Sequence, residues 1–208
     1  MNKTFYIIDD HDLLRLGTIS YLEGGSEWKS VGDAKDAEKA LLDLENLAKE
    51  DNLPAIIICD LNFYGKNIGS TLIEEIHALY PRQKIIAYSM FTGPFLIQNT
   101  IDRGAKGYIS KNSDSEVLLL GMEKLLAGET FIQEDMRQEL ESYNSVIDAL
   151  TVREKEVMDL LLQNLTNDQI AGQLNIKKRA VENYISSIYE KTDINDRQTL
   201  IKKFGEER

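Results

Sequence analysis

The sequence predicts a doubly wound α/β domain followed by a small all-helical domain. Strand-like and helix-like segments alternate over residues 1–127, which implies parallel strands in one sheet with helices on both faces. The central strand candidate, "AIIIC" at 55–59, is apolar throughout, as expected for a strand that is covered on both faces. After Leu150 only helical patterns occur, so no sheet is expected in the second domain.

The elements of the first domain follow from local patterns along the chain. Ala37, Leu41, Leu44 and Ala48 recur at spacings of three and four residues, which is typical of one apolar helix face. The strand candidates are residues 4–9, 28–32, 55–59, 84–89 and 107–110, and the helix candidates are residues 13–23, 35–50, 69–80, 94–103 and 114–127.

The composition changes after residue 127. Residues 128–147 are polar, and we predict a linker that contains no strand and can be helical in part. Residues 1–127 are therefore assigned to the first domain and residues 148–208 to the second. Within the second domain, Thr151 followed three residues later by Glu154 is the pattern of a capping box at a helix start.

Composition and charge exclude some classes of function. The apolar runs are far too short to cross a bilayer, and the N-terminus lacks a signal-peptide pattern, so no membrane role is expected. Cys59 is the one cysteine and cannot form an internal disulfide, which fits a reducing cytoplasm. The net charge of −11 falls entirely on the first 149 residues, because residues 150–208 carry ten basic and ten acidic residues. Only that neutral part, with its clustered bases, is expected to approach nucleic acid.

Three carboxylates stand at strand ends in the predicted sheet. Asp9 and Asp10 end the first strand, and Asp60 ends the third. Ligands of doubly wound folds lie outside the carboxyl ends of the strands, so we expect these side chains to converge. Crowded carboxylates favour a hard divalent cation, and Mg²⁺ suits a site with oxygen ligands only. The backbone carbonyl of Asn62 could complete the ligand set.

Two further strand ends add a hydroxyl and an ammonium group. Ser89 ends the fourth strand, and the fifth runs into Lys111. A carboxylate such as Asp60 can attack phosphorus to form an aspartyl phosphate, whose oxygens Ser89 and Lys111 would bind. Ser89 and Tyr108 could then shift together and change the surface. Taken singly, the double Asp is more often an exposed turn or helix cap, and His11 is more often a solvated loop residue.

Several motifs together resemble a known family. "IIDDHDLLRLG", "IIICDLN", "AYSM" and "GAKGYISK" resemble the flavodoxin-like receiver domain of two-component response regulators. "LTVREKEVMDLLLQNLTNDQIAGQLNIKKRAVENYISSIYEKTDINDR" is similar to the helix-turn-helix of the NarL/FixJ family. The resemblance implies that Asp60 is the phosphoacceptor and that Asp9 and Asp10 hold Mg²⁺. It also implies that Ser89 is the switch hydroxyl, that Tyr108 is the switch aromatic and that Lys111 binds phosphate; the donor would be a histidine kinase.

The receiver part departs from the family pattern near its site. In "DLNFYGKNIGS" Tyr64 replaces a proline, and the loop is one residue longer before Gly69. Asp12 stands where a proline is common and adds a charge near the metal. Asn112 follows the lysine where many receivers have a cis-proline, and no cis bond is expected there because it would cost about 2.5–4 kcal/mol. Met90, after the switch hydroxyl, could shield a phosphoryl group.

The DNA-binding prediction concerns residues 177–191, the expected recognition helix in the major groove. Basic residues at its start can meet phosphates, and outward-facing polar residues can reach base edges. These candidates are Lys177, Lys178, Arg179, Glu182, Asn183, Ser186 and Ser187. The acid at Glu182, where the family often has a base, leaves a second interpretation open, a helical interaction module with little DNA affinity.

The sequence as a whole predicts a cytoplasmic response regulator rather than an enzyme. Phosphorylation of Asp60 by a histidine kinase would favour a homodimer that binds promoter DNA and regulates transcription. Leu200, Ile201 and Phe204 of the last helix are the candidate dimer surface. Two alternatives stay open. One is a regulator independent of phosphorylation, whose receiver serves as a dimerisation or interaction scaffold. The other is a phosphatase of the aspartyl-phosphate class.

Overall fold

The computed structural model describes residues 2–205, except for the side chains of Lys66 and Asn67. The chain divides into two compact units, and each is considered by itself. The first unit comprises the residues up to Met90 together with Asn99–Gln133, and the second comprises Phe91–Gln98 together with the residues from Glu134 onward.

A parallel six-stranded sheet forms the centre of the first unit, with strand order β2-β1-β3-β6-β7-β8. Its order reverses beside β1, so helices cover both faces and the predicted doubly wound fold is confirmed. The strands of the sheet are β1 (Thr4–Ile8), β2 (Lys29–Ala34), β3 (Ile56–Cys59), β6 (Lys84–Ser89), β7 (Gly107–Ser110) and β8 (Phe131–Ile132), and a separate hairpin contains β4 (Asn62–Phe63) and β5 (Lys66–Asn67).

The helices follow the strands in the predicted alternation, and the second unit is built from helices alone over its described residues. Their bounds are α1 (Asp12–Gly25), α2 (Ala37–Lys49), α3 (Gly69–Leu79), α4 (Pro94–Asp102), α5 (Ser115–Leu126), α6 (Glu134–Asp148), α7 (Val152–Leu162), α8 (Asn167–Leu174), α9 (Lys178–Thr192) and α10 (Arg197–Phe204).

The segment predicted to lack a strand contains one, so that prediction is wrong. Phe131 pairs with Gly107, and Ile132 pairs with Tyr108, in parallel along the edge of the sheet. A strand of two residues leaves no alternating pattern in the sequence, and it depends on the neighbouring strand for its hydrogen bonds. Helix α6 then occupies most of the predicted linker, whose assignment as a linker stays a prediction.

The core of the first unit explains why β1 and β3 are apolar. Every residue of both strands is buried, because the strands are paired on both sides and covered on both faces. Trp28 is also fully buried, and its indole N–H donates to Glu123 Oε1 at 2.9 Å. This packing fixes the strands from whose ends the candidate site extends.

The second unit has two helix starts with reciprocal side-chain caps. Thr151 and Glu154 form the predicted capping box at the start of α7, and Thr166 and Gln169 form another at the start of α8. The structure contradicts the suggested dimer surface on α10, because Leu200 and Phe204 are buried within this unit. Phe204 packs against Tyr143 with ring centroids 5.6 Å apart, so it is not available to a second chain.

Candidate functional site

The parallel strands bring the predicted acidic residues to one edge of the sheet. The amide of Asp9 donates to Ala34 at 3.0 Å, and the amide of Asp60 donates to Ile8 at 2.8 Å. Both aspartates therefore continue the backbone pairing of the sheet beyond the last residue of their strands. Adjacent parallel strands place such residues side by side, which is why chain positions 51 residues apart meet.

Lys111 lies between two of the carboxylates. Its Nζ is 2.8 Å from Asp9 Oδ2 and 2.8 Å from Asp60 Oδ2, and each of the three side chains is at most 3% exposed. Burial raises the pKa of Asp60 above its ordinary value, and the Lys111 ammonium offsets only part of that rise. The three residues form a desolvated cluster with one more negative than positive charge when both carboxylates are ionised.

Three buried carboxylate oxygens of this edge fit a divalent cation. Asp9 Oδ2, Asp10 Oδ1 and Asp60 Oδ2 are buried, and apart from their contacts with Lys111 and His11 none accepts a hydrogen bond from the described residues. One ammonium beside three largely buried carboxylates leaves an excess of negative charge, which is costly unless another cation is present. Oxygen ligands of this kind suit Mg²⁺, so the residues fit the predicted metal.

The other oxygen of Asp60 has a separate environment. Asp60 Oδ1 accepts from the amide of Leu61 at 2.7 Å and from the amide of Asn62 at 3.2 Å. These two donors fix the plane of the carboxylate, so Oδ2 is directed at Lys111. The predicted use of the Asn62 carbonyl as a metal ligand is not tested by these contacts and stays a prediction.

The predicted switch residues lie inside the sheet. Ser89 and Tyr108 are both fully buried. The backbone carbonyl of Ser89 accepts from the amide of Lys111 at 2.8 Å. The end of β6 is therefore hydrogen-bonded to the backbone of the residue whose ammonium contacts Asp9 and Asp60. Met90 is 54% exposed and follows directly. Whether Ser89 and Tyr108 act as a switch, and whether Met90 shields a phosphoryl group, stays a prediction.

Arg15 is a residue of the site region that the sequence patterns did not single out. It is buried, and its Nη1 donates to the backbone carbonyl of Asp9 at 2.8 Å. Its other nitrogens pair with Asp12 at 2.7 Å and with Asp33 at 2.7 Å. The charge of Asp12 is therefore matched by Arg15 instead of being added to the metal site as expected. A sequence signal existed in the i,i+3 spacing of Asp12 and Arg15.

His11 contacts the carboxylates, although a solvated loop position was the favoured interpretation. Its Nδ1 lies 2.9 Å from Asp10 Oδ1 and 3.3 Å from Asp9 Oδ1, while the side chain is 68% exposed. The ring therefore covers one side of the cluster and remains in contact with water.

The second unit presents most of the predicted DNA-binding residues on its surface. Lys177, Arg179, Glu182, Asn183 and Ser186 are exposed at the start and along one side of α9. Val181, Ile185 and Ile188 are buried on the opposite side of the same helix, as their spacing predicts.

Three of the DNA-binding candidates have side-chain partners within the unit. The Ser186 hydroxyl donates to the backbone carbonyl of Glu182 at 3.0 Å. Lys178 is exposed, but its Nζ lies 2.8 Å from Asp168 Oδ2, and this carboxylate raises the pKa of Lys178. Ser187 was expected to face outward, and the structure corrects this. Its hydroxyl donates to the buried Glu154 at 2.6 Å, because at this point α9 faces α7.

Comparison with known proteins places this geometry in a family. A family model described as the response regulator receiver domain matches residues 5–123. A second, described as bacterial regulatory proteins of the luxR family, matches residues 148–204. The chain is a response regulator of the NarL/FixJ family. It therefore combines a receiver domain with a helix-turn-helix DNA-binding domain that acts in transcription regulation.

Relatives of this response regulator match over nearly its whole length. The transcriptional activator protein ExaE of Pseudomonas putida is 27% identical over 203 residues, which covers 94% of this chain and 92% of ExaE. The nitrate/nitrite response regulator protein NarL of Escherichia coli (strain K12) is 26% identical over 202 residues, which covers 93% of this chain and 91% of NarL. A solved structure of RcsB from Salmonella enterica serovar Typhimurium is similar with a TM-score of 0.70 and 26% identity, and the match covers 98% of both chains.

Among the residues that the structure describes, no helix combines the length and the apolar composition that a transmembrane span requires.

Proposed function

We propose that Asp60 of this response regulator accepts a phosphoryl group from a partner histidine kinase, and that the modification controls dimerisation and promoter binding. The observation that carries this proposal is the buried cluster in which Lys111 contacts both Asp9 and Asp60. A structural ion pair needs one carboxylate for each ammonium group. Here two buried carboxylates share one ammonium group at the carboxyl ends of the strands. This excess of negative charge suits a site that receives a cation and a phosphoryl group.

In the proposed reaction one oxygen of Asp60 attacks phosphorus while the bond from phosphorus to the kinase histidine nitrogen breaks. The imidazole leaves with the electron pair of that bond, and an acyl phosphate remains on Asp60. The Leu61 and Asn62 amides hold the carboxylate plane during the attack. Lys111 stays within reach of the oxygens that gain charge.

Mg²⁺, held by Asp9, Asp10 and Asp60, would supply positive charge that offsets the charge of the phosphoryl group. The excess of buried carboxylate oxygens over the single Lys111 ammonium is the observation that supports this ligand set. Ser89 and Tyr108 are proposed to respond to the new phosphoryl group, since both are buried in the paired strands β6 and β7, and β7 ends directly before Lys111.

The proposed output is DNA binding through α9. Its exposed face carries Lys177, Arg179 and Asn183, which offer phosphate contacts and an amide for adenine. The Salmonella RcsB structure is described as bound to promoter P1flhDC in the presence of the phosphomimetic BeF3⁻, which supports the same coupling here. A homodimer that reads two half-sites in the cytoplasm is part of the proposal.

The test compares wild type with Asp60→Asn, each with and without beryllofluoride and Mg²⁺. Sedimentation velocity measures oligomeric state, and fluorescence anisotropy measures affinity for a promoter fragment. The proposal expects dimerisation and tighter DNA binding with the mimic in wild type only. Equal dimerisation and DNA binding by both proteins without the mimic would contradict it and favour a phosphorylation-independent scaffold. Absence of DNA binding in every state would overturn the proposed output and favour a protein partner.

A further inference from the structure

The loop that follows Asp60 forms a tight hairpin of unusual composition. Strands β4 and β5 pair antiparallel, with Asn62 opposite Asn67 and Phe63 opposite Lys66. The two connecting residues both have positive φ, 53° at Tyr64 and 74° at Gly65. Two-residue turns with positive φ at both positions strongly prefer Asn, Asp or Gly, because a side chain at the first position is sterically strained.

The side chain of Tyr64 does not explain why tyrosine occupies this strained position. It is 66% exposed and takes no place in the core of the unit. The backbone of the residue, in contrast, has a specific partner. The amide of Tyr64 donates to Asp10 Oδ2 at 2.7 Å, across 54 residues of chain.

This hydrogen bond determines which oxygen of Asp10 faces the acidic cluster. With Oδ2 held by the hairpin, Oδ1 is the oxygen that remains for the cluster, where it is buried and lies 2.9 Å from His11 Nδ1. Ligand atoms of Asp10, Asp9 and Asp60 lie within 4.8 Å of one another. A carboxylate fixed through one oxygen presents the other in a constant direction, which is how neighbouring donors orient metal ligands.

We propose that the backbone amide of Tyr64 is a positioning group for Asp10, and that the 62–67 hairpin tunes the affinity of the acidic site for Mg²⁺. The inference rests on the proposed function, since it assigns a role toward the metal of that same site. Loss of a donor that orients a metal ligand typically lowers metal affinity by about 10–100-fold. We expect a loss in this range when the Tyr64 amide is removed, with Asp10 itself unchanged.

The decisive variant replaces the Tyr64 amide with an ester. Incorporation of p-hydroxyphenyllactic acid at position 64 keeps the side chain and deletes only the N–H. The matched control carries the same ester at Tyr80, whose amide donates to Ile76 at 2.8 Å at the end of α3. Isothermal titration calorimetry of the full chain with Mg²⁺ is expected to show about 10–100-fold weaker binding for the ester at 64 and wild-type binding for the ester at 80.

A genetic variant tests the same point by another route. Tyr64→Gly keeps the N–H, suits the positive φ and removes only the side chain. We expect wild-type Mg²⁺ binding in the glycine variant, in contrast to the weaker binding of the ester at 64. In metal-free protein, Asp10→Asn should also shift the Tyr64 amide resonance upfield, because a neutral amide is a weaker acceptor than a carboxylate.

The outcomes separate this inference from the function on which it rests. Wild-type Mg²⁺ affinity in the ester at 64 would overturn the role of the amide. Weaker Mg²⁺ binding in Tyr64→Gly would overturn it as well, because that variant keeps the N–H and loses only the side chain. Either result leaves phosphorylation of Asp60 standing if beryllofluoride still dimerises the wild type. If the wild type binds no Mg²⁺ at all, both the inference and the proposed metal site fail.

Discussion

Lys111→Met should destabilise the metal-free receiver and make its stability more responsive to Mg²⁺. The Lys111 ammonium contacts Asp9 and Asp60 at 2.8 Å each, and all three side chains are nearly inaccessible to water. Methionine has a similar length and no charge, so the variant keeps the volume of the side chain and removes only the ammonium group. The two buried carboxylates then face each other without compensation.

The magnitude follows from the burial of this cluster. Removal of one partner from a buried ion pair costs about 3–5 kcal/mol. The pKa of Asp60 is already raised by burial, so in the variant this carboxyl can take up a proton and relieve part of the repulsion. We therefore expect a decrease of about 3 kcal/mol in the free energy of unfolding at pH 7 without metal.

Mg²⁺ should restore part of this loss, because the ammonium and the metal compete for the same carboxylates. If removal of the ammonium tightens Mg²⁺ binding tenfold, saturating metal stabilises the variant by about 1.4 kcal/mol more than the wild type. The assay is urea unfolding of the full chain at pH 7, with and without Mg²⁺, followed by fluorescence. Trp28 is the one tryptophan of the chain and is buried in the first unit, so it reports the receiver.

Lys106→Met is the matched control, since Lys106 is exposed in the same unit. It should change the free energy of unfolding by less than about 0.5 kcal/mol and leave the Mg²⁺ response unchanged. The reasoning would be refuted if Lys111→Met were as stable as wild type without metal. It would also be refuted if Mg²⁺ stabilised both proteins equally.

Three other predictions concern single side chains. Asp60→Asn should raise the midpoint of urea unfolding at pH 7 without metal, because a carboxyl with a raised pKa is ionised at a cost in the folded state; a lower midpoint would contradict this. Contacts with Lys191 and Ser187 lower the pKa of Glu154 to about 2, so its stabilisation is complete above about pH 4.5 and is lost as the pH falls toward 2. Thermal unfolding followed by circular dichroism should therefore show that Glu154→Gln is about 2 kcal/mol less stable than wild type at pH 7, and that this difference shrinks below pH 4. A difference that stays constant with pH would show that the ionisation of Glu154 does not contribute to stability. Arg179→Ala should weaken promoter binding for all DNA sequences and reduce the slope of log affinity against log salt by about 0.9, as measured by anisotropy; an unchanged slope would remove Arg179 from the phosphate contacts.

Local patterns in the sequence were sufficient for the main elements and for the members of the acidic cluster. Alternation of strands and helices follows from the periodicity of apolar residues, which each segment carries by itself. The positions of Asp9, Asp60 and Lys111 at strand ends then imply one shared edge, because parallel strands all end on the same side. The capping box of Thr151 and Glu154 was equally local, since its partners are three residues apart.

Tertiary structure alone decided the contacts that refine the site. The Tyr64 amide reaches Asp10 because a hairpin turns at that point, and a backbone donor has no signature in a side-chain pattern. Ser187 turns inward because Glu154 lies opposite it, 33 residues away in the chain. The sequence determined which chemical groups meet at the sheet edge, through patterns that are local and periodic. The fold decided how each group is oriented, because orientation depends on hydrogen bonds between distant parts of the backbone.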